Sequence, residues 1–106
     1  MKVTEIDLKF EPHHMAVEIE KLKDQPEFMK EWAGSKQAKF KCGDLEFSIL
    51  LGKMFYSNGV DTYEIWVLED AHREILGDEY DQPAGRLTMK EVKEYIVTAC
   101  IIWRTK

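Results

Sequence analysis

The sequence predicts an α+β fold: an antiparallel sheet of three to four meander strands packed against a C-terminal helix over 88–104. An N-terminal strand and one or two short helices precede the sheet. Three observations carry this. "KFKCGDLEF" at 39–47 is two alternating runs folded about Gly43-Asp44. Asn58-Gly59 is a strong hairpin signal between apolar runs. Thr88, with Glu91 three residues on, is a capping box opening a long amphipathic run. The meander strands are placed at about 37–42, 45–56 and 62–69, with 73–77 as a fourth.

At the N-terminus, Ile6, Leu8 and Phe10 alternate with Asp7 and Lys9, the period-2 pattern of a half-buried strand that ends at Glu11-Pro12. Met15, Ile19 and Leu22 then recur at helical spacing, so 13–23 reads as a helix with Glu18/Lys21 and Glu20/Lys23 as favourable pairs. The rival strand reading would set Asp7 opposite Glu18 and Glu5 opposite Glu20, and like charges facing each other weaken a ladder. Asp24 as N-cap, Pro26 in the first turn and Gly34 as a stop predict a second short helix over 25–33.

A two-residue turn at Gly43-Asp44, of the glycine-first kind that matches strand twist, fixes the first register. Cys42 then faces Leu45, Lys41 faces Glu46, Phe40 faces Phe47 and Ala38 faces Ile49, so apolar side chains meet on one face and a Lys–Glu pair lies on the other. For the second hairpin, a plain ladder about Asn58-Gly59 would bury Glu64. A bulge at Gly52-Lys53 repairs this by pairing Leu51 with Ile65, Ile49 with Val67 and Met54 with Tyr63. Ile75 and Leu76, flanked by turn residues, predict the fourth strand, and "GDEYDQPAGRL" at 77–87 reads as a loop. In the last helix, Val92, Tyr95, Ile96, Ala99, Cys100 and Trp103 form one stripe for the sheet.

A chain of 106 residues, 44% hydrophobic and 33% charged, fits a single domain over 1–106 with a real core. The N-terminal stretch mixes charge into its apolar residues, unlike a signal peptide. The longest apolar run, "YIVTACIIW", is about half the ~20 residues a membrane span needs, so a soluble, cytoplasmic protein with no membrane partner is expected. Cys42 and Cys100 are read as reduced core thiols. Adjacent histidines diverge on a helix or strand, so His13-His14 reads as exposed, and no metal or cofactor is expected from these two or from His72.

The net charge of −5 is unevenly placed. Eight acids balance eight bases in 1–43, but ten acids face three bases in 44–86. Within 61–81 stand Asp61, Glu64, Glu69, Asp70, Glu74, Asp78, Glu79 and Asp81, offset only by Arg73 and His72. "DEYDQPAG" lacks the spacing of a calcium loop, so the acids are read as a surface. Apolar residues left over by the core pattern are Leu50, Trp66 and Leu68 on the outer sheet face and Val97 and Ile101 on the far side of the last helix. They are candidates for a protein partner or a homodimer contact.

No spacing forces a nucleophile, base or metal ligand together, and no phosphate loop, Gly-x-Ser-x-Gly or Cys-x-x-Cys occurs, so no catalytic residue is assigned. Lys36, Lys39 and Lys41 surround Phe40, but the hairpin register turns Phe40 to the other face, which argues against direct nucleic-acid binding. The expectation is a small acidic protein–protein interaction module. Its more specific form is a phage or mobile-element inhibitor of the anti-CRISPR or anti-restriction type, mimicking DNA to dock into the basic groove of a nucleic-acid-binding effector. The alternative is a housekeeping or structural homo-oligomeric module without inhibitor activity.

Overall fold

A computed structural model describes residues 2–21, 34–52, 57 and 61–106. Among these residues the fold is α+β, with one five-stranded antiparallel sheet and three helices, the last of them C-terminal. In chain order these are β1 (Glu11–Pro12), α1 (His14–Glu20), β2 (Lys36–Cys42), β3 (Leu45–Leu51), β4 (Tyr63–Val67), α2 (Asp70–Leu76), β5 (Ala84–Leu87) and α3 (Met89–Thr105). Short 3-10 turns stand at Val3–Glu5 and Asp78–Tyr80. The strand order across the sheet is the chain order. No helix among the described residues is long and apolar enough to cross a membrane.

The first hairpin has the register its sequence predicts: Cys42 opposite Leu45, Lys41 opposite Glu46, Phe40 opposite Phe47 and Ala38 opposite Ile49. Gly43 adopts a φ of 62° while Asp44 keeps an ordinary negative value, so the turn is the glycine-first kind. On the other face, Lys41 Nζ lies 3.6 Å from Glu46 Oε2.

The second hairpin differs from expectation by two residues. Phe47 stands opposite Val67, Ser48 opposite Trp66, Ile49 opposite Ile65 and Leu50 opposite Glu64. The faces are as predicted, because a two-residue slip keeps every side chain on its side. Leu50 and Trp66 are therefore diagonal neighbours, not a direct pair. Ser57 explains part of the wider connection: its hydroxyl accepts the Gly52 N–H at 3.2 Å and donates to the Thr62 carbonyl at 2.5 Å, tying the two strand ends together. The expected Asn58-Gly59 turn, Lys53 of the expected bulge, and Met54 lie outside the described residues, as does the expected helix over 25–33.

Three further expectations are corrected. Ile6, Leu8 and Phe10 form no ladder, and pairing to β2 starts only at Glu11, opposite Gln37. Ile6 is nonetheless buried in the core, and Phe10 packs on Tyr63 with ring centres 5.4 Å apart. Residues 70–76 are helix, not a fourth strand at 73–77. The stretch 77–87 is not a plain loop: it holds the 3-10 turn that buries Tyr80, and then β5. β5 carries the observed bulge, since Tyr63 pairs with Leu87 but Ile65 with Ala84. Arg86, inside it, has a φ of 57°, which non-glycine residues seldom adopt.

The core lies between the sheet and α3. Leu45, Phe47, Ile49, Ile65 and Val67 are fully buried on the inner face, and Val92, Ile96 and Ala99 meet them from the helix. The helix starts at the predicted capping box: Thr88 Oγ1 accepts the Glu91 N–H at 3.3 Å, and the Glu91 carboxylate accepts the Thr88 N–H at 3.0 Å. Phe47, Tyr95 and Tyr80 make a chain of edge-on rings across this layer. Burial of Tyr95 and Tyr80 in it raises both phenols above their ordinary value.

Candidate functional site

Helix α2 determines how the acidic residues are displayed. Asp70 in its first turn suits the positive end of the helix, and Gly77, with a φ of 112°, ends it. His72, Arg73 and Leu76 turn toward the protein, while Asp70, Ala71, Glu74 and Ile75 form the exposed arc. After Gly77 the 3-10 turn buries Tyr80 and leaves Asp78, Glu79 and Asp81 exposed. Anchoring by Tyr80 thus holds three carboxylates on the outside.

The structure gathers six of the eight predicted acids on this short helix–turn unit: Glu69, Asp70, Glu74, Asp78, Glu79 and Asp81. Asp61 and Glu64 are elsewhere. Asp61 precedes β4, at the strand end far from α2, and Glu64 lies on the outer sheet face opposite Leu50. Within the gathered set, Glu69 lies 3.4 Å from His72 Nε2, and Asp70 pairs with Arg73. Glu74, Asp78, Glu79 and Asp81 form no ion pair with the described residues.

Arg73 is buried, an unusual place for the one arginine of the segment. Its Nη1 donates to the Val67 carbonyl at 2.6 Å, capping the end of β4, and its guanidinium lies over the Trp66 ring. The positive charge is therefore drawn to the rim of the sheet. The His72 ring meets Trp103 at a tilt with ring centres 4.6 Å apart, joining α2 to α3.

The apolar candidates do not converge on one patch. Trp66 is half-buried beneath Arg73, Leu50 is half-buried, and Leu68 is exposed past the end of β4. Ser48, between them on the outer face, is buried and accepts from Gln37 Nε2 at 2.9 Å. On α3, Val97 packs against the core, and Ile101 is exposed at 54%. Of the expected Val97–Ile101 pair, Ile101 is exposed and Val97 is half-buried. Sequence reasoning missed Ile75, which is 44% exposed, and the open flank of Trp103. The helix signals were present in "EDAHREILG", an acid in the first turn and a terminal glycine.

The three histidines do not gather: the His13 and His14 rings lie against each other with centres 4.3 Å apart, contrary to the divergence expected of them, while His72 is on α2 beside Trp103. His13 is buried, contrary to the exposure expected of it, and its Nδ1 accepts the Met15 N–H at 3.1 Å to cap α1. Burial, and then the neighbouring His14, lower its pKa below the usual histidine value. His14 lines a cleft of about 620 Å³ between α1 and β2, where Lys9 and Lys39 stand beside Glu11 and Glu18 with no excess of either sign. Among the described residues no three metal-ligating side chains form a group. Cys42 and Cys100 are both buried free thiols. Burial, with the hydrogen-bonding Cys42 thiol beside it, pushes Cys100 up to about 12.

No protein-family profile matches the chain, and comparison with curated proteins and with solved structures finds no significant match.

Proposed function

We propose that this protein is a small, non-catalytic acidic interaction module whose α2 surface and following 3-10 turn dock against a cationic protein surface. The single observation supporting this most is the inward turn of Arg73, which leaves Glu74, Asp78, Glu79 and Asp81 exposed without an ion-pair partner among the described residues. Carboxylates held on a short rigid unit can stand in for the phosphates that a basic groove is built to bind. The specific partner class is a nucleic-acid-binding effector, and the role is inhibition by DNA mimicry, as phage and mobile-element anti-CRISPR and anti-restriction proteins practise it. Glu69 and Asp70, although paired, are exposed and add to the same field.

Capture from a nuclease-treated bacterial lysate tests the reading, with wild-type protein and a Glu74→Lys/Asp78→Lys/Glu79→Lys variant as parallel baits. The expected result is enrichment of nucleic-acid-binding proteins on the wild type, released as salt rises and absent from the variant. Recovery of the same proteins on both baits, or of no such proteins, would overturn it. A housekeeping homo-oligomer joined through α3 is the weaker reading, because Val97 is half-buried against the core and Ile101 is the one large apolar residue exposed on the described part of that helix.

A further inference from the structure

We propose, resting on the acidic-surface reading above, that the groove between α2 and α3 receives an apolar side chain from a cationic amphipathic segment of the partner. The groove encloses about 530 Å³ and is lined by Ile75, Trp103 and Lys106. Trp103 forms a firm wall, since the His72 ring lies against it at 4.6 Å and 57°. Ile75 forms the other wall and is 44% exposed, which leaves an apolar side chain in water beside an indole.

The chemistry of the occupant follows from what lies next to the groove on the same helix. At 100° per residue, Asp70 and Glu74 share one strip of α2, Ile75 lies toward Trp103, and exposed Ala71 lies between them. The surface thus presents a slot walled by Ile75 and Trp103, with Lys106 also lining it, a small neutral step and a pair of carboxylates, with Glu69 and Asp78 before and after. A segment with Leu, Met or Phe at one position and Lys or Arg about one helical turn away satisfies both parts. A purely basic segment leaves the slot wet, and a purely apolar one leaves the carboxylates without counter-charges. Charge supplies attraction at a distance, and the slot fixes register.

The test uses two fluorescein-labelled helical peptides of equal length and charge, one of lysine and leucine and one of lysine and serine, in fluorescence anisotropy with the full chain. The leucine peptide should bind wild-type protein about tenfold tighter than the serine peptide. Ile75→Gln should remove most of that difference and leave binding of the serine peptide unchanged. Equal affinity of the two peptides for the wild type, or a difference that survives Ile75→Gln, would overturn the groove proposal. The Glu74→Lys/Asp78→Lys/Glu79→Lys variant separates the two readings: it should weaken both peptides. Unchanged binding of both to that variant would sink the acidic surface and the groove proposal that rests on it. Loss there, combined with no effect of Ile75→Gln, would sink the groove alone.

Discussion

The guanidinium carbon of Arg73 lies 4.5 Å from the centre of the Trp66 ring. The same side chain satisfies the Val67 carbonyl, where β4 ends and α2 is about to begin. One residue therefore anchors the acidic helix to the sheet. Its charge is engaged by Asp70, the Val67 carbonyl and the Trp66 ring, and none of it reaches Glu74, Asp78, Glu79 or Asp81 as an ion pair.

Replacing Arg73 with Lys keeps the charge but loses the flat ring contact and the forked reach. We predict a loss of about 1–2 kcal/mol, read from the denaturant midpoint. Asp70→Asn should cost well under about 1 kcal/mol, since the Asp70 carboxylate is solvated. Equal costs for the two would show that the ion pair, not the carbonyl and ring, holds the helix.

Acidification should loosen α1. The folded His13 has a lowered pKa, so in the window between that value and the ordinary 6.5 the unfolded chain binds more protons than the folded one. The stabilisation is complete above about 6.5 and disappears as pH falls through the folded value. Amide exchange at Met15 and Val17, corrected for its intrinsic pH dependence, should accelerate across that window. His13→Asn keeps an acceptor for the Met15 N–H and should flatten the response.

Neither thiol should react readily with an aromatic disulfide reagent at pH 8 in the native protein. Both are buried, and Cys100 is held far above the reagent's working pH. Two equivalents should react on unfolding. Fast native labelling of Cys100 would contradict its placement in the core.

Thr88→Ala removes the acceptor for the Glu91 N–H and the hydroxyl donor to the Glu91 carboxylate, while the backbone N–H of residue 88 keeps its bond to that carboxylate. About 1 kcal/mol should be lost, with the unfolding transition otherwise unchanged in shape.

Arg86→Gly should gain about 0.5–1 kcal/mol, because glycine accepts a φ of 57° without the Cβ conflict. A loss in thermal unfolding would mean that the arginine side chain contributes more than its backbone costs.

The first hairpin and α3 were legible because each has two independent local signals that agree: turn chemistry with cross-strand pairing in one, a capping box with a broad apolar stripe in the other. α2 was hidden because one of its inward positions is an arginine, so its apolar period is broken where the structure needs a guanidinium. β5 was hidden by the Gly, Pro and Asp content of 77–87, which reads as loop. The β3–β4 register slipped by two because alternation specifies a face and not a partner. Of the candidate surface, the acids were visible as composition. Their gathering on α2 and the 3-10 turn was not, since it depends on Arg73 and Tyr80 facing inward. Ile75 was assigned to a strand and so lost its place beside Trp103.

Each strand of the sheet lies beside its predecessor in the chain, and this has a kinetic consequence. The Gly43-Asp44 hairpin closes a very short span of chain, so its ordering entropy is small, and β4 and β5 can add to it one at a time. α3 leaves the ribosome after all of these strands, yet it covers the face that they would otherwise expose. A nascent chain halted before residue 89 would present Phe47, Ile49, Ile65 and Val67 to water, and is the species most prone to clump.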